Sequence, residues 1–469
     1  MAEVQPSTQS QPVDQSGPSQ ARPTNPAPDS QALVVQRPGQ QGLRRYLYSG
    51  LVAALAVSVS LFRFGTSVFP FGASLRADDY AGRTRHVLST TPLIDGHNDL
   101  PYVVRQELKN KIYSPRFDFA GALLSHTDLG KMRSGQMGGQ FWSVYMECRE
   151  EGVAQMEDAT WVVRDTLEQI DVVRRLIAKH PDDLQFCVTP ACVRTAFAAG
   201  KIASMIGIEG SHQLGNSLAV LRQTFELGAR YLTITHNCDT PFATSATSVA
   251  AGGADGGLTP FGQRLVAEMN RLGMLVDLAH VSPQTMRDAL GASAAPVIFS
   301  HSGAYALNRH LRNAPDDVLR GLRANGGVIM VPFVSFFFRT DDTGGASIHD
   351  VADQILYIAD LIGWEHVGLG SDFDGSDSMV RGMEDTSKYP DLIQLLMKRG
   401  ATDKQIRLLV GENILRVWTA VEKHAQRAQS TLGELPIEDV WDGREWSHVH
   451  DADLPLMFHD SKKERREAY

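Results

Sequence analysis

Basic charge is in deficit in this chain of 469 residues: 45 Lys and Arg stand against 54 Asp and Glu, a formal net charge of −9. Without a concentrated basic surface there is no electrostatic reason to bind phosphates, so no nucleic-acid partner is expected. Cysteine is scarce. Cys148, Cys187, Cys192 and Cys238 are too few and too scattered for a disulfide-stapled miniprotein or a Cys-rich zinc finger. Outside the cytosol they are still free to form one or two bridges. There is no Asn-x-Ser/Thr glycosylation acceptor. The end of the chain, DSKKERREAY, has none of the apolar character that a lipid-anchor signal requires. The composition is otherwise that of a globular protein, 43% hydrophobic and long enough to bury a large core.

Large apolar side chains are also sparse in the first forty-odd residues, which are rich in Gln, Pro and Ser. Such a stretch cannot bury enough surface to offset its conformational entropy, and residues 1–43 are expected to be a disordered cytosolic tail. An apolar run follows at 46–62, with Arg44 and Arg45 before it and Arg63 after it. Its length is at the short end for a bilayer span. It lies too far from the N-terminus for a cleaved signal peptide, and it lacks the polar positions of an amphipathic soluble helix. Residues 44–65 are therefore expected to be a transmembrane signal-anchor, with the Arg pair holding the N-terminus in the cytosol. This predicts a single-pass membrane protein whose main domain is lumenal or extracellular.

Beyond residue 91 come eight short apolar runs, at 92–99, 140–146, 202–210, 231–237, 275–280, 296–302, 327–333 and 366–374. Helical patterns lie among them, at 158–179, 218–228, 260–273, 315–325 and 348–363. Strands that are continuously apolar and separated by helices indicate parallel pairing with both faces covered. The fold class expected over residues 75–422 is α/β, a (β/α)8 TIM-like barrel with insertions. The pattern at 407–423 reads as its last outer helix, and residues 423–469 as a C-terminal surface extension whose His448, His450 and His459 are solvated.

The polar residues that end the runs carry the chemistry. They are His97 and Asp99, Glu209, His236, His280, His301 and Asp372. Ordinary loop starts would mix Ser, Asn, Lys and Thr, whereas these are all His, Asp or Glu. A barrel gathers the carboxyl ends of its strands at one mouth, so these distant residues are expected to converge. Imidazoles with carboxylates suit zinc. His97 and Asp99 can reach one ion, His280 and His301 a second, and Glu209 has two oxygens with which to bridge them. Two such ions activate a shared water and polarise a carbonyl, which is hydrolase chemistry.

The segments DGHNDLP at 95–101, GGQFWSVY at 138–145, IEGSH at 208–212, LTITHN at 232–237, DLAHVS at 277–282, VIFSHSGAY at 297–305, RNAPDD at 312–317 and GSDFDG at 370–375 resemble the membrane (renal-type) dipeptidase family. The likeness covers residues 85–422. It implies a binuclear zinc peptidase that takes dipeptides with free amine and carboxylate. One zinc would be held by His97, Asp99 and Glu209, and the other by Glu209, His280 and His301. By the same resemblance His236 stands near the developing oxyanion, Arg312 pairs with the substrate carboxylate, and Asp372 handles the proton and meets the ammonium. Arg309 is an alternative to Arg312, and Asp374 is placed behind Asp372. The resemblance also implies a Cys148–Cys238 disulfide, with two free thiols as the alternative, and leaves Cys187 and Cys192 unassigned. Phe337 stands where the family usually has a tyrosine. A homodimer is left open. The competing readings are a related barrel metal-hydrolase acting on another amide or a lactone, and an inactive membrane-tethered binding protein.

Overall fold

A computed structural model describes residues 76–148, 160–339 and 345–444. The run at 46–62 and the three histidines at 448, 450 and 459 lie outside the described residues. Among those described, no helix is long and apolar enough to cross a membrane.

The strands are β1 (Leu93–Asn98), β2 (Met137–Tyr145), β3 (Leu184–Phe186), β4 (Ile202–Glu209), β5 (Ala229–Thr233), β6 (Leu275–Asp277), β7 (Ile298–Phe299), β8 (Val328–Val331) and β9 (Val367–Leu369). Eight of them follow the eight apolar runs in the order β1-β2-β4-β5-β6-β7-β8-β9, every neighbour pair parallel. This is the expected parallel α/β barrel. The ninth, β3, is an addition paired only to β4. The ring is joined between its first and last strands by one bridge, Asn98 to Phe373, reinforced by Asp99 N donating to Phe373 O at 2.9 Å and Asp372 N to His97 O at 3.2 Å.

Three outer helices begin with the same local signal, a Ser or Thr followed by Pro. Thr189, Thr259 and Ser282 cap Pro190–Ala198, Pro260–Leu272 and Pro283–Ala292, their hydroxyls accepting from the backbone of Cys192, Gly262 and Thr285. Proline at the first helical position lacks an N–H that would be orphaned anyway, and the hydroxyl satisfies a second one. Helix Asp316–Asn325 instead ends on Gly326 in the left-handed conformation, the usual stop for a helix that must turn back to a strand.

The interior of the barrel is apolar at its lower end. Ile94, Phe141, Met205, Tyr231, Leu275, Ile298 and Met330 project into it and cluster with Trp418 of the helix Asn413–Gln426, whose ring lies 5.8 Å from that of Phe141. This floor forces every polar side chain of the interior toward the other end. The last helix continues through a π-turn to Thr431. The chain after it returns to the barrel at Ile437, whose N–H donates to Glu268 and whose carbonyl accepts from Arg222.

Candidate metal centre

The residues expected at the strand ends come together at the mouth. His97 lies in β1 and Glu209 ends β4, while Asp99, His236, His280, His301 and Asp372 fall within the first few residues after their strands. His280 and Asp372 have φ of 64° and 63°. Non-glycine residues seldom adopt this left-handed region, and it concentrates at functional sites. Gly375 is needed for close approach, since a Cβ there would lie 2.3 Å from an Asp99 oxygen and 2.5 Å from one of Asp372.

Glu209 divides the cluster. Its Oε2 is 3.5 Å from His97 Nε2, which lies 3.2 Å from Asp99 Oδ2. Its Oε1 is 2.9 Å from His280 Nε2 and 3.4 Å from His301 Nε2. The ligand atoms of His97, Asp99 and Glu209, and those of Glu209, His280 and His301, each lie within 4.8 Å of one another. The same holds for His97, His301 and Asp372. His236 Nε2 is 3.8 Å from Glu209 Oε1, its ring packed between Tyr145 at 4.4 Å and His280 at 4.1 Å.

These groups fit a cation. His97 Nε2 and Asp99 Oδ1 are buried without a hydrogen-bond partner, and His280 and His301 point their Nε2 atoms at each other across 3.0 Å. The opposite ring nitrogens are all occupied: His97 Nδ1 by the Tyr231 hydroxyl at 2.8 Å, His280 Nδ1 by Asn237 at 3.2 Å and His301 Nδ1 by Ser300 at 2.9 Å. Anchoring one nitrogen and freeing the other is how proteins orient metal-binding histidines. Burial holds the imidazoles of His236, His280 and His301 well below their ordinary pKa, and the Arg312 charge adds to this. They are therefore neutral and able to coordinate. For His97, burial also pulls down, but Tyr231, Asp99 and Glu209 outweigh it and the pKa rises. That corner of the site attracts positive charge.

Arg312 is 7% exposed, with Nε unpartnered and its guanidinium 4.7 Å from the centre of the Phe337 ring. Arg309 is exposed, so of the two arginines only Arg312 faces inward. Burial lowers Arg312 to about 10, which leaves it charged at neutral pH. Burial lifts Asp372 to about 6 and Asp374 to about 7. Asp374 lies behind, accepting from the backbone of His126 at 2.7 Å. Cys148 is joined to Cys238, the pairing implied by resemblance, and Cys187 to Cys192, which the sequence left unassigned.

Sequence reasoning passed over three buried residues behind the site: Tyr231, Asp95 and Asp277. The aspartates did carry a signal, because an acid inside an apolar strand must be buried and therefore hydrogen-bonded.

A closed parallel barrel with imidazoles and a dividing carboxylate at its carboxyl-end mouth is the architecture of the barrel metal-hydrolases. Within that class the chain belongs to the membrane dipeptidase family (Peptidase family M19), which matches residues 81–432. An uncharacterized dipeptidase of Schizosaccharomyces pombe is 50% identical over 389 residues, covering 81% of this chain and 92% of that protein. A metallo peptidase from Rhodobacter sphaeroides, solved with a phosphinate mimic of the dipeptide L-Ala-D-Ala, is 26% identical with a TM-score of 0.62, covering 71% of this chain and 99% of its own. The probable dipeptidase PvdM from Pseudomonas aeruginosa shares the fold at 20% identity, TM-score 0.67, over 74% of this chain and 99% of its own.

Proposed function

We propose that this protein hydrolyses dipeptides at a two-metal centre, with zinc as the ion. The observation that carries the reading is the division of Glu209, one oxygen toward His97 and the other toward His280 and His301. His97, Asp99 and Glu209 would hold one ion, and Glu209, His280 and His301 the other. Bound there, the ions would supply an activated water and a polarised carbonyl. The nitrogen and oxygen donor set suits zinc. The Rhodobacter sphaeroides relative, with its dipeptide mimic, supports the substrate class.

The chain's own groups do the rest. Arg312, buried and charged, receives the terminal carboxylate of the substrate through its free donors. His236 is neutral and donates from Nε2 to the carbonyl oxygen as negative charge gathers on it. Asp372, lifted by burial to about 6, takes a proton from the attacking water and returns it to the departing amine. Metal analysis together with a dipeptide panel tests this, with blocked-amine, blocked-carboxyl and tripeptide controls. Cleavage confined to free dipeptides, with two zinc ions per chain, is the expected result. Tripeptides cut equally well would remove the roles of Arg312 and Asp372.

The same reading places the barrel outside the cytosol, tethered through residues 46–62. It is supported by that run's flanking Arg44 and Arg45 and by two disulfides, which persist in oxidising compartments. Alkaline extraction and protease protection of isolated membranes test it; release of the chain by carbonate would overturn it.

A further inference from the structure

Two buried aspartates behind the mouth make the same set of contacts. Asp95 in β1 accepts on Oδ1 from His97 N at 3.2 Å and Ser371 N at 2.8 Å, and on Oδ2 from Ser371 Oγ at 2.6 Å. Asp277 in β6 accepts on Oδ1 from Ala279 N at 3.1 Å and Ser300 N at 2.7 Å, and on Oδ2 from Ser300 Oγ at 2.6 Å. In each case a carboxylate on one strand clasps the serine that precedes a mouth residue on the neighbouring strand, Asp372 in one and His301 in the other. Both aspartates are fully buried.

The two clasps differ in what else the serine hydroxyl meets: Ser371 Oγ lies 3.1 Å from the His97 carbonyl. Ser300 Oγ also lies 2.9 Å from His301 Nδ1, whereas Ser371 is followed by a carboxylate, and His97 finds its Nδ1 partner in Tyr231 instead. A serine hydroxyl has one hydrogen. Ser300 commits it to Asp277 Oδ2, which also accepts from Thr233 Oγ1 at 2.6 Å and cannot donate back. Ser300 Oγ can then only accept from His301. The proton of the neutral imidazole is thereby placed on Nδ1, and Nε2 keeps its lone pair toward Glu209 and His280.

We propose that Asp277, acting through Ser300, is a positioning residue that fixes the metal-binding tautomer of His301, and that the matching Asp95–Ser371 clasp aligns Asp372 without any effect on a tautomer. This rests on the two-metal reading above. The isosteric change Asp277→Asn makes the prediction sharp. The Ala279 and Ser300 N–H groups still need an acceptor, so the amide oxygen stays on them and the NH2 takes the place of Oδ2. It now donates to Ser300 Oγ, whose own hydrogen turns to His301 Nδ1. The imidazole proton moves to Nε2, where it blocks coordination.

The test measures zinc stoichiometry and chelator-competition affinity for the full chain and its variants, with 15N spectra of histidine-labelled protein to read the tautomers. Asp277→Asn is expected to weaken one of two zinc ions by about ten- to a hundredfold and to shift one histidine to the Nε2–H form. Asp95→Asn should keep both ions and all tautomers while lowering kcat. If Asp277→Asn does not fold, Ser300→Ala and Thr233→Val decide. Both remove one hydroxyl from Asp277, but only Ser300→Ala breaks the link to His301, so only it should weaken zinc. Equal effects of those two, or Asp277→Asn with unchanged zinc and tautomers, would overturn the inference. Wild-type protein that takes up no zinc would instead overturn the two-metal reading on which it stands.

Discussion

Buried charge occurs toward both ends of the barrel, and it is treated in opposite ways. Near the lower end, Glu268 of the helix Pro260–Leu272 is fully buried. It accepts twice from Arg271 at 2.8 Å, from Arg222 at 3.0 Å and from Ile437 N at 3.1 Å. At the mouth, His97 Nε2, Asp99 Oδ1, His236 Nδ1 and Arg312 Nε are buried with no hydrogen-bond partner. Buried polar atoms need partners: around Glu268 the protein supplies them itself, whereas the mouth atoms are left for the ions and substrate of the proposed reaction. The internally paired charge thus sits on the outer helices and the chemistry at the strand ends, in keeping with the division of labour general for this fold.

The sharpest way to break that contrast is at its centre. Glu209→Gln should strip zinc and lower kcat/KM by roughly a thousandfold, on the order of 4 kcal/mol; metal analysis alongside kinetics checks it, and full activity would end the bridging role. At the floor, Trp418→Ala should cost about 3–5 kcal/mol of stability in denaturant titrations while leaving kcat of the folded protein unchanged. A large drop in kcat there would show that the two ends are not independent. Arg312→Lys keeps the charge and loses the fork. We expect KM to rise roughly ten- to a hundredfold, equivalent to about 1.5–3 kcal/mol, with a smaller change in kcat and no change in zinc content.

The smallest effect concerns pH. Burial alone would raise the Glu268 carboxyl, but Arg271, the Ile437 N–H and Arg222 together hold it below its ordinary value of 4.5. A depressed folded-state pKa means that the unfolded chain takes up the proton first. The stabilisation is therefore complete above the ordinary value and is lost as pH falls through the lowered one. Glu268→Gln should lower Tm at neutral pH and flatten its decline on the acid side. An unaltered acid slope would mean that the cluster adds nothing to the lower end.

The mouth could be read in the sequence because each strand announces itself by an apolar run and its end by a His, Asp or Glu. Even β7, only two residues long, was legible through VIFSHS. What could not be read was pairing across strands. Asp277 sits visibly in VDLAH, but its union with Ser300 depends on the register of β6 against β7, Asp277 opposite Ile298, which no single-strand pattern encodes. Tyr231 passed as an apolar strand start, since a phenol counts as core until its hydroxyl is found under His97. Phe337 carries no hydroxyl for a substrate, and its ring lies against the Arg312 guanidinium instead. The short β3 pairs edge-on with the start of β4, Leu184 opposite Ile202, another pairing that no single-strand pattern encodes.

The Asn98–Phe373 bridge joins the earliest and the latest parts of the barrel to be synthesised, and the contact from Ser371 to His97 spans 274 residues. A ribosome delivers His97 and Asp99 first and Asp372 last. A chain that stops before Asp372 therefore lacks the final wall of its mouth, whatever else has folded. The mouth is thus a feature of the nearly complete barrel, assembled only when its two most distant strands meet.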